Sequence, residues 1–329
     1  MRRSTFLKAF SAQALSACAV VPRARAADEV NGASGAHAMS IMVPASPGGG
    51  WDTTARVLGD ALLGARQAAI VNFETRSGAA GTIGLAQFAK DRAGDANALM
   101  VMGSVMLGGI ISGKPPVSLD AVTPIARLTS EYNVIVVPAG SAFTTMRQVI
   151  AQFNKDPASV RWGGGSRGST EHIALGLLAQ ALGLATSAIN YVPFRGGGEA
   201  AAALLSGAVM VASSGVSEFL PHIAAGRMVP LAVTAPQRLA ALPSPTLLEL
   251  GYPVVFGNWR GVYGAHGISA AQRDELIARV RLAVQSDAWR AGLARYHWSD
   301  AFLTSAAFEQ FVQSEFTTIA QTMAAAGLS

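Results

Sequence analysis

Apolar runs of strand length alternate with helical patterns along this chain. Two of the junctions are glycine-rich turns, PGGGWD at 47–52 and WGGGSRGSTEH at 162–172. Alternation of this kind builds largely parallel sheets with covering helices, so the expected class is α/β. A glycine turn that leads from a strand into a helix leaves backbone N–H groups free. Those groups point at whatever lies above the helix N-terminus. Two such turns, far apart in sequence and with few charges nearby, suggest a pair of anion-binding jaws. The ligand they suit is a small carboxylate.

The elements can be placed from periodicity. Met39 to Pro44 reads as the first strand, and Asp52 to Ala65 as a helix with Ala55, Leu58, Ala61 and Leu62 on one face. Strands follow at 69–73 and 98–103, with the turn and helix SGAAGTIGLAQFAK between them, and VIVVPA at 134–139 is a fourth. The pattern then restarts. A helix near 144–153 leads to a short strand at 160–162 and the second glycine turn. The next helix carries Ile173, Leu177, Leu178, Ala181 and Leu182 on one side, and INYVPF, VMVASS and MVPLAVT supply further strands. FGNWRGVYGA at 256–265 reads as a returning strand, and two amphipathic helices near 270–286 and 305–325 close the chain. This layout predicts two α/β lobes, the second inserted into the first. Lobe 1 comprises 39–136 plus 258–329 and lobe 2 comprises 137–257, with a two-crossing hinge near 137 and 257. The cleft between lobes is the expected ligand site.

Charge narrows the partners. The formal charge is +5, yet Arg2, Arg3, Lys8, Arg23 and Arg25 all fall in the first 26 residues. Taking those five from the 25 basic residues leaves 20, equal to the 20 acidic ones. A neutral body with no basic stripe argues against nucleic acid, which needs a basic footprint. Residues 1–26 read as an export signal: an arginine pair, FLKAFSAQALSACAVV, then Ala24-Arg25-Ala26 as a cleavage site. RRSTFLK resembles a twin-arginine signal with one extra residue before the phenylalanine, so two export routes stand open. A second reading of the leader makes Leu15 to Cys18 a lipobox, with lipid carried on Cys18. Cys18 is the only cysteine, so the mature protein has no disulfide on either reading. The expected location is the periplasm, and the chain is expected to act as a monomer.

PGGGWDTTAR, NFETRSGAAGTIG, GGSRGSTEH, NYVPFRGGGEA and PTLLELGYP resemble, in order and spacing, the substrate-binding receptors of tripartite tricarboxylate transporters, the TctC or Bug family. The resemblance runs from about residue 39 onward. NWRGVYGAHGIS and SDAW…LARYHW are most similar to the citrate and tricarboxylate receptors of that family. The resemblance implies a periplasmic binding protein of type II that closes like a Venus flytrap. It also implies delivery of a di- or tricarboxylate to a membrane permease with a large and a small subunit, and no catalytic step. Family members hold one ligand carboxylate between two loops, mainly through backbone N–H groups and bridging waters. Those loops match Pro47 to Asp52 and Gly164 to His172 here. Trp51 departs from the small or polar residue common at its position.

The candidate ligand-binding residues follow. Gly48, Gly49 and Gly50 allow close backbone approach, and Pro47 and Trp51 flank them. Asp52 suits an N-cap and equally an acceptor from a ligand hydroxyl or water. Gly165, Ser166, Gly168 and Ser169 belong to the second loop. Ser169 and Thr170 suit helix caps as well as ligand donors, and His172 lies in the first helical turn. Ser104 sits at a strand's C-terminal end, where α/β sheets bind ligands. Arg260, on the returning strand, is placed to grip a carboxylate bidentately, ahead of Arg167 and Arg195.

Other chemistries leave weaker traces. Gly163, Gly165 and Gly168 satisfy GxGxxG, with no ribose-binding acid evident downstream. Gly108 to Lys114 fits most of a P-loop, but Pro115 replaces the magnesium-holding hydroxyl. Gly164 to Gly168 satisfies GxSxG, and Asp287 and His297 follow Ser166 in the order of a serine hydrolase, the rival reading. The strand before that elbow is short, and no His-Gly-Gly oxyanion segment precedes it. No His, Cys, Asp and Glu cluster has metal-ligand spacing, and no cofactor is expected.

Overall fold

A computed structural model of the protein describes residues 37–328. The export signal of residues 1–26, with Cys18, lies outside the described residues. The structure is built on strand β4 (Val122–Pro138), whose 17 residues change partners midway. Up to Tyr132 it pairs with β9 (Gly257–Ala265) on one side and with β10 (Ser299–Thr304) on the other. From Asn133 it pairs instead with β7 (Val211–Gly215) and β8 (Met228–Val233). One strand therefore belongs to two sheet regions.

The first region runs β2 (Ile70–Thr75), β1 (Ala38–Val43), β3 (Ala98–Gly103), β9, β4. β1 lies parallel to β2 and β3, and β9 runs antiparallel to β3 and β4. The second region runs β4, β7, β5 (Trp162–Gly164), β6 (Tyr191–Pro193), with β5 parallel to both neighbours. β3 is buried along its whole length, as its unbroken apolar run ALMVMG requires.

Helices follow most strands. α1 (Gly50–Gly64), α2 (Thr82–Asp91) and α3 (Ser104–Gly113) belong to the first region. α4 (Met146–Lys155), α5 (Thr170–Ala181), α6 (Gly197–Leu205) and α7 (Val216–Ala224) belong to the second. α8 (Ala270–Val284), α9 (Asp287–Tyr296) and α10 (Ser305–Ala325) close the chain over the first region. α1 buries Ala55, Leu58, Ala61 and Leu62, the face its spacing marked. α4 begins in a capping box of Thr145 and Gln148.

Each region has its own core. Met39, Leu58, Met100, Tyr263 and Phe308 pack in the first. Ile135, Phe153, Trp162 and Leu178 fill one face of the second, and Val134, Phe219 and Leu204 the other. This is an α/β fold of two sheet regions that share strand β4. Six elements go beyond the sequence expectation, which placed no helix at α3, α6 or α7. The first half of β4 is absent from the sequence reading because VTPIARLTSEYN mixes polar and apolar residues. α9 and β10 are likewise extra, and they lie between the last two expected helices. No helix among the described residues is long and apolar enough to cross a membrane.

Candidate ligand-binding site

The C-terminal ends of the parallel strands in both regions, and the start of antiparallel β9, border a common cavity of about 80 Å³. Six helices begin at it. Its lining takes Gly49, Gly50 and Trp51 from the start of α1, Gly81 from α2 and Val105 from α3. Ser169 and Glu171 come from α5, Gly196 and Gly197 from α6, and Glu218 from α7. A helix N-terminus carries a partial positive charge, so the cavity favours anions wherever the protein's own side chains have not already taken the N–H groups.

The first glycine loop is shaped locally. Gly48 adopts φ +79°, a left-handed conformation that favours glycine. Its N–H donates to Asp52 Oδ2 at 2.9 Å, and Asp52 also pairs with Arg56. The Asp52 carboxylate thus serves its own loop and helix and does not line the cavity. Pro47 lies on the exposed rim. Trp51 packs its ring against Gly81 and forms part of the cavity wall.

The second loop divides its residues between two sides. Gly165, Ser166 and Ser169 face the cavity. Ser169 caps α5, and the Gly165 carbonyl accepts from the Tyr191 hydroxyl at 2.7 Å. His172 turns to the other side. Its Nδ1 accepts from the Gly168 N–H at 3.1 Å, and its ring stacks on Tyr191 at 4.4 Å. Burial, then the nearby Arg167 charge, lower its pKa to about 4, so the ring is neutral at physiological pH. The ring supports the loop from behind and lines a separate outer hollow with Arg167. Gly168 also lies behind the wall, its backbone against that of Gly108. Ser104 is spent internally, accepting from the Trp259 N–H at 3.1 Å.

A third loop, Gly78 to Gly81, is one part of the lining that the sequence reading left out of the site. Gly78, Ala79, Ala80 and Gly81 all have positive φ, from 47° to 131°. Each alanine held there costs about 1–3 kcal/mol, a strain that clusters at ligand clamps. The signal was present in SGAAG, where two glycines flank the strained pair.

The charged groups were mostly invisible in sequence. Arg260 is 1% exposed and paired with Glu131, itself buried and bonded to Ser217 Oγ at 2.8 Å. Glu218 reaches across from the second region. It accepts from the Gly50 N–H at 3.0 Å, the Gly197 N–H at 3.3 Å and Ser214 Oγ at 2.7 Å. Two helix N-termini are therefore already occupied by the protein's own carboxyl. Burial first, then the charge of Glu131, push the Glu218 pKa up. Burial pushes the Glu171 carboxyl up to about 7. Three buried atoms of the lining residues have no hydrogen-bond partner among the described residues: Glu171 Oε2, Asn258 Oδ1 and Arg260 Nη1. Arg195 sits at the mouth, mostly exposed and paired with Glu199.

The residues of the hydrolase reading are dispersed. Asp287 is an exposed first-turn residue of α9 paired with Arg290, and His297 ends the same helix. Ser166 lies at the cavity, where the ring of His172 faces away.

Comparison with known proteins gives a consistent result. A family described as "Tripartite tricarboxylate transporter family receptor" matches residues 54–328. The protein BugT of Bordetella pertussis is 30% identical over 258 residues, covering 77% of this chain and 78% of that protein. The periplasmic binding protein BugD superposes with a TM-score of 0.78 at 21% identity, covering 89% of this chain and 98% of that one. MatC of Rhodopseudomonas palustris with bound malate gives a TM-score of 0.75 at 22% identity, with coverage of 87% and 98%. Another R. palustris protein, with adipate, gives a TM-score of 0.79 at 22% identity, with coverage of 90% and 99%.

Proposed function

The chain belongs to the tripartite tricarboxylate transporter receptor family, a family of binding proteins rather than enzymes, and from that premise we propose a specific role. It captures a small carboxylate in the periplasm, in the cleft where the six helices begin, and hands it to a membrane permease. Convergence of those N-termini on one cavity carries the reading. Malate and adipate in structural relatives support a carboxylate as the ligand class. Citrate and other tricarboxylates are within that class.

The cavity holds only a few waters at about 80 Å³. Entry of a four- to six-carbon acid therefore requires the two regions to separate, bending β4 near its change of partners and the segment that leads into β9. A ligand shifts that balance only by fitting the closed form better.

A thermal-shift series tests the reading. At a hundredfold excess over Kd, ligand adds about 2.7 kcal/mol, and Tm should rise by roughly 5–10 °C. Absence of any shift with citrate, malate, adipate or other C4–C6 carboxylates would overturn it. The first loop is tested separately. A Cβ on Gly49 meets Ser46 O at 3.2 Å and Glu218 Oε1 at 3.8 Å, a tight but tolerable fit. Gly49→Leu should keep a near-native Tm and lose ligand binding by roughly a hundredfold, about 2.7 kcal/mol. Undiminished affinity in that variant would remove the loop from the site.

A further inference from the structure

Helices α1 and α6 begin without caps of their own. The residues that precede them, Gly49 and Gly196, offer no side chain to the first-turn N–H groups. α4, α5, α8 and α9 instead carry Thr145, Ser169, Ser269 and Ser286 in that role. What answers the two bare N-termini is Glu218, in the first turn of a third helix, α7. Its Oε1 accepts from the Gly50 N–H at 3.0 Å and from the Gly197 N–H at 3.3 Å. Gly50 belongs to the first sheet region and α7 to the second, so this one carboxyl spans the cleft. The walls are close beside it, since a Cβ on Gly196 would lie 3.9 Å from the Gly49 Cα.

We propose that Glu218 is a latch: its carboxyl stands in for the ligand's, holds the empty cleft shut across α1 and α6, and is displaced when a ligand carboxylate takes the same N–H groups. This rests on the cleft being the ligand site proposed above. The cavity beside Glu218, at about 80 Å³, is too small for a four-carbon acid while the latch is made. Release leaves the carboxyl a partner on its own side, because Ser214 Oγ donates to Glu218 Oε2 at 2.7 Å. Burial, then the charge of Glu131, disfavour the ionised carboxyl in the closed cleft, and water admitted on opening screens both. Against this, a hydrogen bond to a charged acceptor favours the closed form by about tenfold or more. The latch is therefore firm enough to be made and costly enough to be released.

The consequence is a threshold for binding. A receptor whose competent form is only a fraction of the population binds more weakly by that fraction. A latch made about nine-tenths of the time weakens binding about tenfold. It acts on kon, because the ligand enters only after release.

The test uses Glu218→Ala, which removes the latch, and Glu218→Gln, which keeps its shape and removes its charge. Small-angle scattering of the ligand-free proteins should give a larger radius of gyration for Glu218→Ala than for the unaltered protein, with Glu218→Gln between them. Calorimetry and stopped-flow mixing with citrate, malate and adipate should show about tenfold tighter binding to Glu218→Ala, gained in kon with koff little changed. Melting curves check that the variants fold, and Glu218→Gln carries the same test at smaller amplitude should Glu218→Ala fail to. An unchanged radius of gyration would overturn the latch. Affinity that is unchanged or lower would also overturn it, a fall meaning that Glu218 serves the bound ligand instead. If none of the three acids binds either protein, the carboxylate reading above loses its support, and the scattering comparison alone decides the latch.

Discussion

Arg260→Ala is expected to cost the protein about 3–5 kcal/mol of stability, because removing one partner of a buried ion pair strands the other. Glu131 would keep its buried position with only Ser217 to answer it. Glu218 would lose the nearby positive charge that favours its ionised form. The Glu218 carboxyl, already raised by burial, should then titrate higher still in the folded state. A raised carboxyl binds more protons when folded, so the deficit grows as pH rises above the unfolded value of about 4.3. Urea unfolding at pH 5 and pH 8 reads both effects, with the larger loss at pH 8. The double variant Arg260→Met, Glu131→Met should recover much of the stability while binding no carboxylate. A loss below about 1 kcal/mol in Arg260→Ala would show that the pair is not held as described.

Gly108→Leu should open the cleft. In the structure a Cβ on Gly108 runs into the carbonyl of Gly168, and a Cβ on Gly168 meets the Gly108 oxygen at 2.6 Å. The obstacle is backbone on both sides, so no rotamer relieves it. α3 belongs to the first sheet region and Gly168 to the loop that leads into α5 in the second. Leucine at 108 must therefore push the two walls of the cavity apart. The expected cost is about 1–3 kcal/mol from overpacking, with ligand affinity down at least tenfold, about 1.4 kcal/mol. Gly113→Leu is the control on the same helix, since nothing lies within 4 Å of its Cβ position. Chemical denaturation and small-angle scattering distinguish the two variants. Equal affinity and equal radius of gyration would show that the Gly108–Gly168 contact does not set the spacing.

Much of the fold was legible because its signals are local. ALMVMG is fully buried and reads as a central strand, and the face of α1 follows from a spacing of three and four. The first half of β4 was not legible. Its Pro124, Arg127 and Glu131 disrupt any apolar run, and its strand character comes from pairing with β9 and β10. The site divides in the same way. Gly49, Gly50, Trp51, Gly165, Ser166, Ser169 and Arg260 do line the cavity, whereas Pro47, Gly48, Asp52, Ser104, Gly168 and His172 do not. Those six are explained by rim exposure, by loop and helix capping, or by packing behind the wall. Glu171 and Glu218 escaped notice because an acid in the first turn of a helix is ordinary on dipole grounds alone.

The amino-acid order alone determined the α/β alternation and the sharp glycine junctions, since backbone conformation at a turn depends on residues a few positions away. Only the tertiary structure decided what those junctions face. The Gly50 N–H meets a carboxyl 168 residues further along, and the pairing of Arg260 with Glu131 spans 129. Contacts of that range are fixed by how the strands pair and the helices pack. No spacing in the sequence announces them.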